Sequence, residues 1–184
     1  MSECLLELKN ITKTFPGVKA LDNVSFSLKK GQIHALMGEN GAGKSTFIKV
    51  ITGVHKPDAG EMILRGAPVS FNAPKEATEQ GIAAIYQHVT CYPDLSVTEN
   101  IFLGHELVKP GSKKLMWNEM HKQAKAYLDR LGTDIDPKAE MGYLSVAQQQ
   151  IIEIAKALST AAEILIMDEA TAALTNRESE EPCR

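Results

Sequence analysis

Gly38-Glu-Asn-Gly-Ala-Gly-Lys-Ser-Thr46 decides the fold. Gly38 and Gly43 bracket four residues ahead of Lys44 and Ser45, and the apolar run Ile33-His-Ala-Leu-Met37 leads in. A polyphosphate has to be surrounded closely by backbone N–H groups, and glycine permits both the positive φ angles and the close approach. Gly38, Asn40, Gly41, Gly43, Lys44, Ser45 and Thr46 are therefore the candidate phosphate-binding residues. Lys44 supplies positive charge for terminal phosphates, and Ser45 supplies a hydroxyl for Mg²⁺. A helix over 45–51 would point its positive dipole end at the anion. In this context, strand then loop then helix, the pattern reads as a nucleoside triphosphate site requiring ATP-like ligand and Mg²⁺.

Working outward, Leu5 to Leu28 carries two strand-like stretches separated by a Phe15-Pro-Gly17 turn, which predicts a small antiparallel sheet. Ile33 to Met37 is expected to be a buried strand feeding the loop. Residues 61–65 and 68–71 flank Gly66 as a hairpin, and the continuous apolar run Ile82 to Tyr86 suits a strand covered on both faces. Ser96-Val-Thr-Glu99 is a capping box that starts a helix running to about Leu103. Met120, Ala124, Tyr127, Leu128 and Leu131 recur at helical spacing and predict a second helix over 118–131. Ser145 caps a third, with Ile151, Ile152, Ile154, Ala155 and Leu158 as its stripe, and Ala162 to Met167 is the last strong strand. The expected fold class is α/β: a mostly parallel sheet, an amino-terminal antiparallel β subdomain, and a helical subdomain from about residue 96 to 158 within a single domain spanning 1–184.

Composition bounds the alternatives. The chain has 184 residues, 43% apolar and 23% charged, with a net charge of −3. That is ordinary globular composition without the footprint of a nucleic-acid binder. Lys29-Lys30 and Lys113-Lys114 read as solvated faces. Cys4, Cys91 and Cys183 form no C-x-x-C pair, which argues against zinc or a disulfide framework and fits a reducing compartment. Nothing approaches the ~18 consecutive apolar residues of a membrane span, and residues 1–10 lack an export signal. The five histidines, His34, His55, His88, His105 and His121, have no ligand-like spacing and read as incidental.

Ile164-Leu-Ile-Met-Asp168-Glu169 places paired carboxylates after a buried strand. There Asp168 can hold Mg²⁺ through a water, and Glu169 can polarise the water that attacks the γ-phosphate. The phosphate loop, Gln87 after its strand, Leu144-Ser-Val-Ala-Gln-Gln-Gln150 before a helix, and Ile164 to Ala170, in that order, resemble the ATP-binding cassette ATPases over essentially the whole chain. The resemblance implies a P-loop NTPase core in which two cassettes face head to tail. Ser145, the amide of Ala147 and Gln148 would then touch the nucleotide of a partner cassette, fused or separate. Gln87 would sense Mg²⁺ and the attacking water, and its loop would meet an integral membrane permease subunit. Phe15 matches the aromatic that stacks on adenine, and Ala172 to Leu174 falls where the loop between the two sites should lie.

Val146 and Ala147 stand where that family commonly has two glycines, and Ala170 where it commonly has proline. With Ile151 to Leu158 and Tyr92 to Gly104, this pattern is similar to the ATPases of ribose, galactose and xylose importers, in which one long chain carries two cassettes. The family's switch histidine would follow a later strand, and no histidine lies beyond His121. The expectation is an amino-terminal portion of a sugar-importer ATPase, peripheral on the cytoplasmic face of the membrane and served indirectly by a sugar-binding protein. A tail of non-native character would occupy 179–184, and the strand holding Asp168 would be exposed or wrongly paired. The alternative is a truncated cassette that binds Mg-ATP without turnover. A role in DNA repair, chromosome architecture or translation is disfavoured by the short interval from Gln87 to Leu144 and the absence of a basic stripe.

Overall fold

The computed structural model describes residues 4–86 and 91–168, so Gln87, Glu169 and 172–174 lie outside the described residues. The chain divides after Gln80 into two units.

In the first unit, β1 (Cys4–Phe15) and β2 (Val18–Lys29) form one long antiparallel hairpin. Both strands run well beyond the stretches that alternation picks out. Its ladder is irregular near Asn10 and Asn23, both at positive φ, a conformation asparagine tolerates better than most residues. The amides displaced there find side-chain acceptors: Asn10 N–H donates to Ser25 Oγ at 3.0 Å, and Asn23 N–H to Thr12 Oγ1 at 3.1 Å. β3 (Ala59–Leu64) pairs with the other edge of β1, and β4 (Ala67–Val69) completes a four-stranded sheet in the order β2-β1-β3-β4. The β3–β4 turn has both Arg65 and Gly66 at positive φ, the geometry that continues the right-handed twist of a hairpin.

Helix α1 (Lys44–Ile51) lays Phe47 edge-on against Phe26 of β2, with ring centroids 5.4 Å apart. It buries Phe47, Ile48, Val50 and Ile51, while Leu6, Leu8, Ile11, Leu21, Met62 and Leu64 are buried from the strands. A short helix α2 (Pro74–Glu79), which the periodicity did not reveal, begins with proline at a position where the missing N–H costs nothing.

Residues 33–37 correct the sequence reading, because they form no strand. Ile33 is 100% exposed, and Leu36 and Met37 are exposed as well. A strand is held by its neighbours' N–H and C=O groups, and no described strand pairs with this segment. An apolar run records that a segment is suited to pairing, and it carries no information about whether the partner is in place.

In the second unit, β5 (Ile82–Ile85) and β6 (Ile164–Met167) pair in parallel, in register from Ile82↔Ile164 to Ile85↔Met167. Among the described residues this pair is the parallel part of the α/β fold. β5 is almost wholly buried, whereas Leu165 and Met167 of β6 are exposed. Helix α3 (Val97–Phe102), α4 (Trp117–Arg130) and α5 (Val146–Ser159) share a core of Val97, Ile101, Phe102, Met120, Ala124, Leu128, Met141, Ile152 and Ala155. The opposite side of α5 packs Ala157 and Ile154 against Ala83 and Ile85.

The start of α3 is built as its sequence foretells. Glu99 N–H donates to Ser96 Oγ, and the Glu99 carboxylate accepts from Ser96 N–H at 2.8 Å and from Ser96 Oγ–H at 2.6 Å. These bonds hold the Glu99 carboxyl below the usual glutamate value of 4.5, so its contribution is complete above that value and is lost as pH falls through the lowered one. Ser96→Ala should therefore cost about 1 kcal/mol at neutral pH. Thermal melts of both proteins at neutral and acid pH should show that gap narrowing in acid.

Candidate functional site

Between β2 and α1 the backbone is committed to a cradle. Gly41 and Gly43 both lie at φ 85°, and Ala42 N–H closes a turn onto Glu39 O at 3.1 Å, with Asn40 exposed at its tip. A Cβ on Gly43 would stand 2.4 Å from Ala20 O and 3.2 Å from Leu21 Cδ2, so both conformation and space require glycine. Gly43 is also the N-cap of α1, and no side chain caps the helix. Phe47 N–H bonds back to Gly43 O at 2.8 Å, while the amides of Lys44, Ser45 and Thr46 precede the first intrahelical bond.

Lys44 Nζ folds over the loop and donates to Gly38 O at 2.7 Å and Glu39 O at 2.9 Å. It both holds the loop closed and sets a cation at its mouth. Ser45 is exposed beside it. Uncapped amides, a helix N-terminus free of acidic residues and an ammonium group together suit a polyphosphate.

Phe15 ends β1 and pairs across the turn with Val18, two residues before Ala20 walls Gly43. Phe15 therefore lies at the end of the hairpin that meets the cradle. Two neighbours fix its ring. His55 approaches edge-on with centroids 5.2 Å apart, and Lys13 Nζ lies 5.7 Å from the ring centroid. Asp58 anchors this end by accepting from Lys13 Nζ and from Thr14 N–H, each at 2.7 Å. The Lys13 hydrogen bond, followed by that from Thr14, holds the Asp58 carboxyl below its ordinary range. Sequence reasoning treated His55 as incidental and passed over Asp58, since neither carries a local motif and only the strand pairing brings both to Phe15.

In the second unit, Ser145 caps α5 in a reciprocal box. Gln148 N–H donates to Ser145 Oγ at 3.3 Å, and Gln148 Oε1 accepts from Ser145 N–H at 2.9 Å and Oγ–H at 3.0 Å. The box occupies the Gln148 amide and leaves those of Val146 and Ala147 at an exposed helix start. Gln149 Nε2 braces the turn beneath by donating to Met141 O and Leu144 O. Asp168 follows β6, and its N–H donates to Ile85 O at 2.9 Å, which brings Asp168 beside the end of β5 just before Gln87. Gln87 and Glu169 themselves lie outside the described residues. Among the described residues no group of three His, Cys, Asp or Glu side chains could hold a metal ion. A hydroxyl and a carboxylate of the Ser45 and Asp168 kind are hard oxygen donors, the type that Mg²⁺ takes in small number when phosphate oxygens complete its shell.

The first unit thus carries a glycine-built loop that opens an uncapped helix, and the second a carboxylate after a parallel strand, both within an α/β chain. This chain belongs to the ABC transporter family, whose model matches residues 21–172. It is 51% identical over 178 residues to the xylose import ATP-binding protein of Geobacillus kaustophilus, covering 96% of this chain and 35% of that protein. Against the arabinose import ATP-binding protein of Vibrio parahaemolyticus the identity is 50% over 177 residues, covering 96% and 35%. The chain thus spans about a third of the length of the curated relatives it matches. Among solved structures, it resembles the ADP conformation of an ATP-binding cassette of an ABC transporter with TM-score 0.76 and 30% identity, over 92% of this chain and 70% of that one. A dimeric post-hydrolysis cassette bound to ADP and Pi gives TM-score 0.76 at 28% identity, over 94% and 77%.

Two glycine substitutions separate conformation from space. Gly41→Ala meets nothing within 4 Å and pays for positive φ alone, whereas Gly43→Ala also meets the Ala20 carbonyl. Gly41→Ala should cost about 1–2 kcal/mol in denaturant titrations, and Gly43→Ala more than that.

Proposed function

We propose that this chain is the nucleotide-binding domain of an ATP-hydrolysing subunit that energises carbohydrate import. The observation that carries the reading is the cradle at 38–46: a glycine-built loop whose helix start is uncapped, with Lys44 at its mouth. The names of its relatives, import proteins for xylose and arabinose, supply the cargo class. Residues 1–184 make one cassette in this reading, with a helical subdomain from about 96 to 158.

Each residue has a stated task. The amides of 41–46 bind the phosphate oxygens, and Lys44 exchanges its two carbonyl acceptors, Gly38 O and Glu39 O, for the terminal phosphates. Phe15, its ring contacted by His55 and Lys13, is the aromatic that stacks on adenine. Ser45, Asp168 and Gln87 would hold Mg²⁺, which when bound offsets phosphate charge. Glu169 orients and deprotonates water. Ser145, Ala147 and Gln148 serve the nucleotide of a second cassette. The exposed start of α5 supports that assignment, because amides aimed at solvent in one chain are available to a ligand held by another.

Among the described residues no helix is long and apolar enough to cross a membrane. The subunit acts through integral membrane permease partners, at the cytoplasmic face, with the Gln87 loop as the point of contact. A sugar-binding protein and the permease choose the sugar, so no residue of this chain touches it.

Nucleotide affinity and phosphate release on the purified chain test the proposal. Lys44→Ala should weaken ATP binding by at least about tenfold, the loss of charge-assisted bonds to phosphate. Phe15→Ala should weaken ATP by up to about tenfold while leaving inorganic tripolyphosphate unaffected. Glu169→Gln should bind ATP as the parent does and release no phosphate. Binding without release by the parent chain would favour the second reading, a cassette that holds Mg-ATP without turnover. Undiminished affinity in Lys44→Ala would remove the basis of both.

A further inference from the structure

The segment joining α3 to α4 forms a small hairpin that the nucleotide chemistry does not use. Met116 N–H donates to Leu107 O at 2.8 Å and Lys109 N–H to Lys114 O at 2.9 Å, with Val108 and Leu115 bridged between them. Gly111, at φ 71°, turns the tip, and Ser112 N–H bonds back to Lys109 O at 3.0 Å.

Its side chains are distributed against stability. Leu107 packs on the core of the second unit, so the alternation of a strand places Val108 and Leu115 on the outward face. They are 53% and 38% exposed, and Met116 and Trp117 at the base are 39% and 40% exposed. Lys109 and Lys114 stand directly opposite each other, a like-charge pair that disfavours the ladder. Lys113 adds a third cation. The stretch 107–118 contains no acidic residue, and none of these lysines is ion-paired among the described residues. Glu106 and Glu119, which flank it, are engaged elsewhere, with Gly104 N–H and Gln123 Nε2 respectively.

We propose that this hairpin is a contact site for an anionic lipid surface. Outward aliphatic side chains enter the headgroup boundary, Trp117 sits at that level, and the three lysines meet lipid phosphates. A hairpin that carries aliphatic side chains on its outward face and lysines on its other face and at its tip, on a chain whose net charge is −3, can enter such a bilayer edge-on, with the lysines reaching the phosphates on either side. An acidic protein segment would answer the lysines but would leave Val108, Leu115 and Trp117 in water. The site deepens the membrane-associated reading of the subunit, and it is independent of the nucleotide cradle.

Trp117 is the one tryptophan of the chain and reports directly on the contact. The full 184-residue chain would be mixed with phosphatidylcholine vesicles, with and without phosphatidylglycerol, and followed by co-sedimentation and Trp117 emission. The expected result is salt-sensitive binding to the anionic vesicles alone, with a blue shift of emission. At about fivefold per lysine, the triple variant K109Q/K113Q/K114Q should lose about a hundredfold in vesicle partition while keeping wild-type ATP affinity. V108S/L115S should sediment more weakly and show a smaller shift. Equal binding to neutral vesicles, an unchanged triple variant, or an emission shift with polyglutamate and none with vesicles would each overturn the proposal. Because ATP affinity is read separately, failure here is distinguishable from failure of the nucleotide assignment.

Discussion

The Ala20 carbonyl of β2 stands where a side chain on residue 43 would have to go, and most of the cradle's geometry follows from that exclusion. Glycine at 43 can take φ 85°, which turns the loop sharply into α1 and makes the N-cap a residue with no side chain. A serine or aspartate there would have bonded the first amides of the helix and satisfied them. The close packing of loop on sheet therefore also keeps the helix start open to an external anion. Phe47, one turn in, seals the arrangement against Phe26, so the sheet that shapes the loop also buries the helix behind it.

The starts of α3, α5 and α1 show how differently the same donors can be used. At α3 the Ser96–Glu99 box is closed on itself, and the segment before it is bolted down by Asn100, which is buried and accepts from Tyr92 N–H while its amide is shared among Tyr92 O, Leu95 O and Ser96 O. That end is structural. At α5 glutamine replaces glutamate in the box, so the start is capped without adding a negative charge beside the amides of Val146 and Ala147. A carboxylate at that place would repel an approaching phosphate, whereas an amide does not. At α1 there is neither cap nor acid.

Much of this was legible in the sequence because it is local. Capping boxes at Ser96 and Ser145, the Gly66 hairpin, the apolar stripes of α4 and α5 and the loop at 38–46 each depend on residues within one turn of one another, and the structure has them where the spacing placed them. What was not legible depends on partners distant in sequence. His55 and Asp58 acquire their roles because β3 folds back on β1, which sets Asp58 on Lys13 and Thr14 forty-odd residues away. Ile33 to Met37 failed for the converse reason. Its apolar character was read correctly, but pairing is a property of two segments, and no described strand takes up its backbone groups.

The hairpin at 107–116 shows the same contrast from the functional side. Elsewhere in the second unit, polar groups are tied across long separations: Thr98 Oγ1–H donates to Pro137 O at 2.9 Å and its oxygen faces His121 Nδ1, while His105 Nε2 meets Ser159 Oγ at 2.8 Å. Each ring nitrogen is thereby tied to a hydroxyl whose oxygen also reaches a backbone carbonyl. Burial lowers the His105 pKa, and a neutral imidazole still shares a hydrogen bond with Ser159 Oγ, so this brace does not depend on charge. Helices braced in this way form a firm base. A hairpin projecting from it, with opposed lysines and outward aliphatics, gains nothing for folding from those choices, and their cost is explained by a surface outside the chain that both features fit.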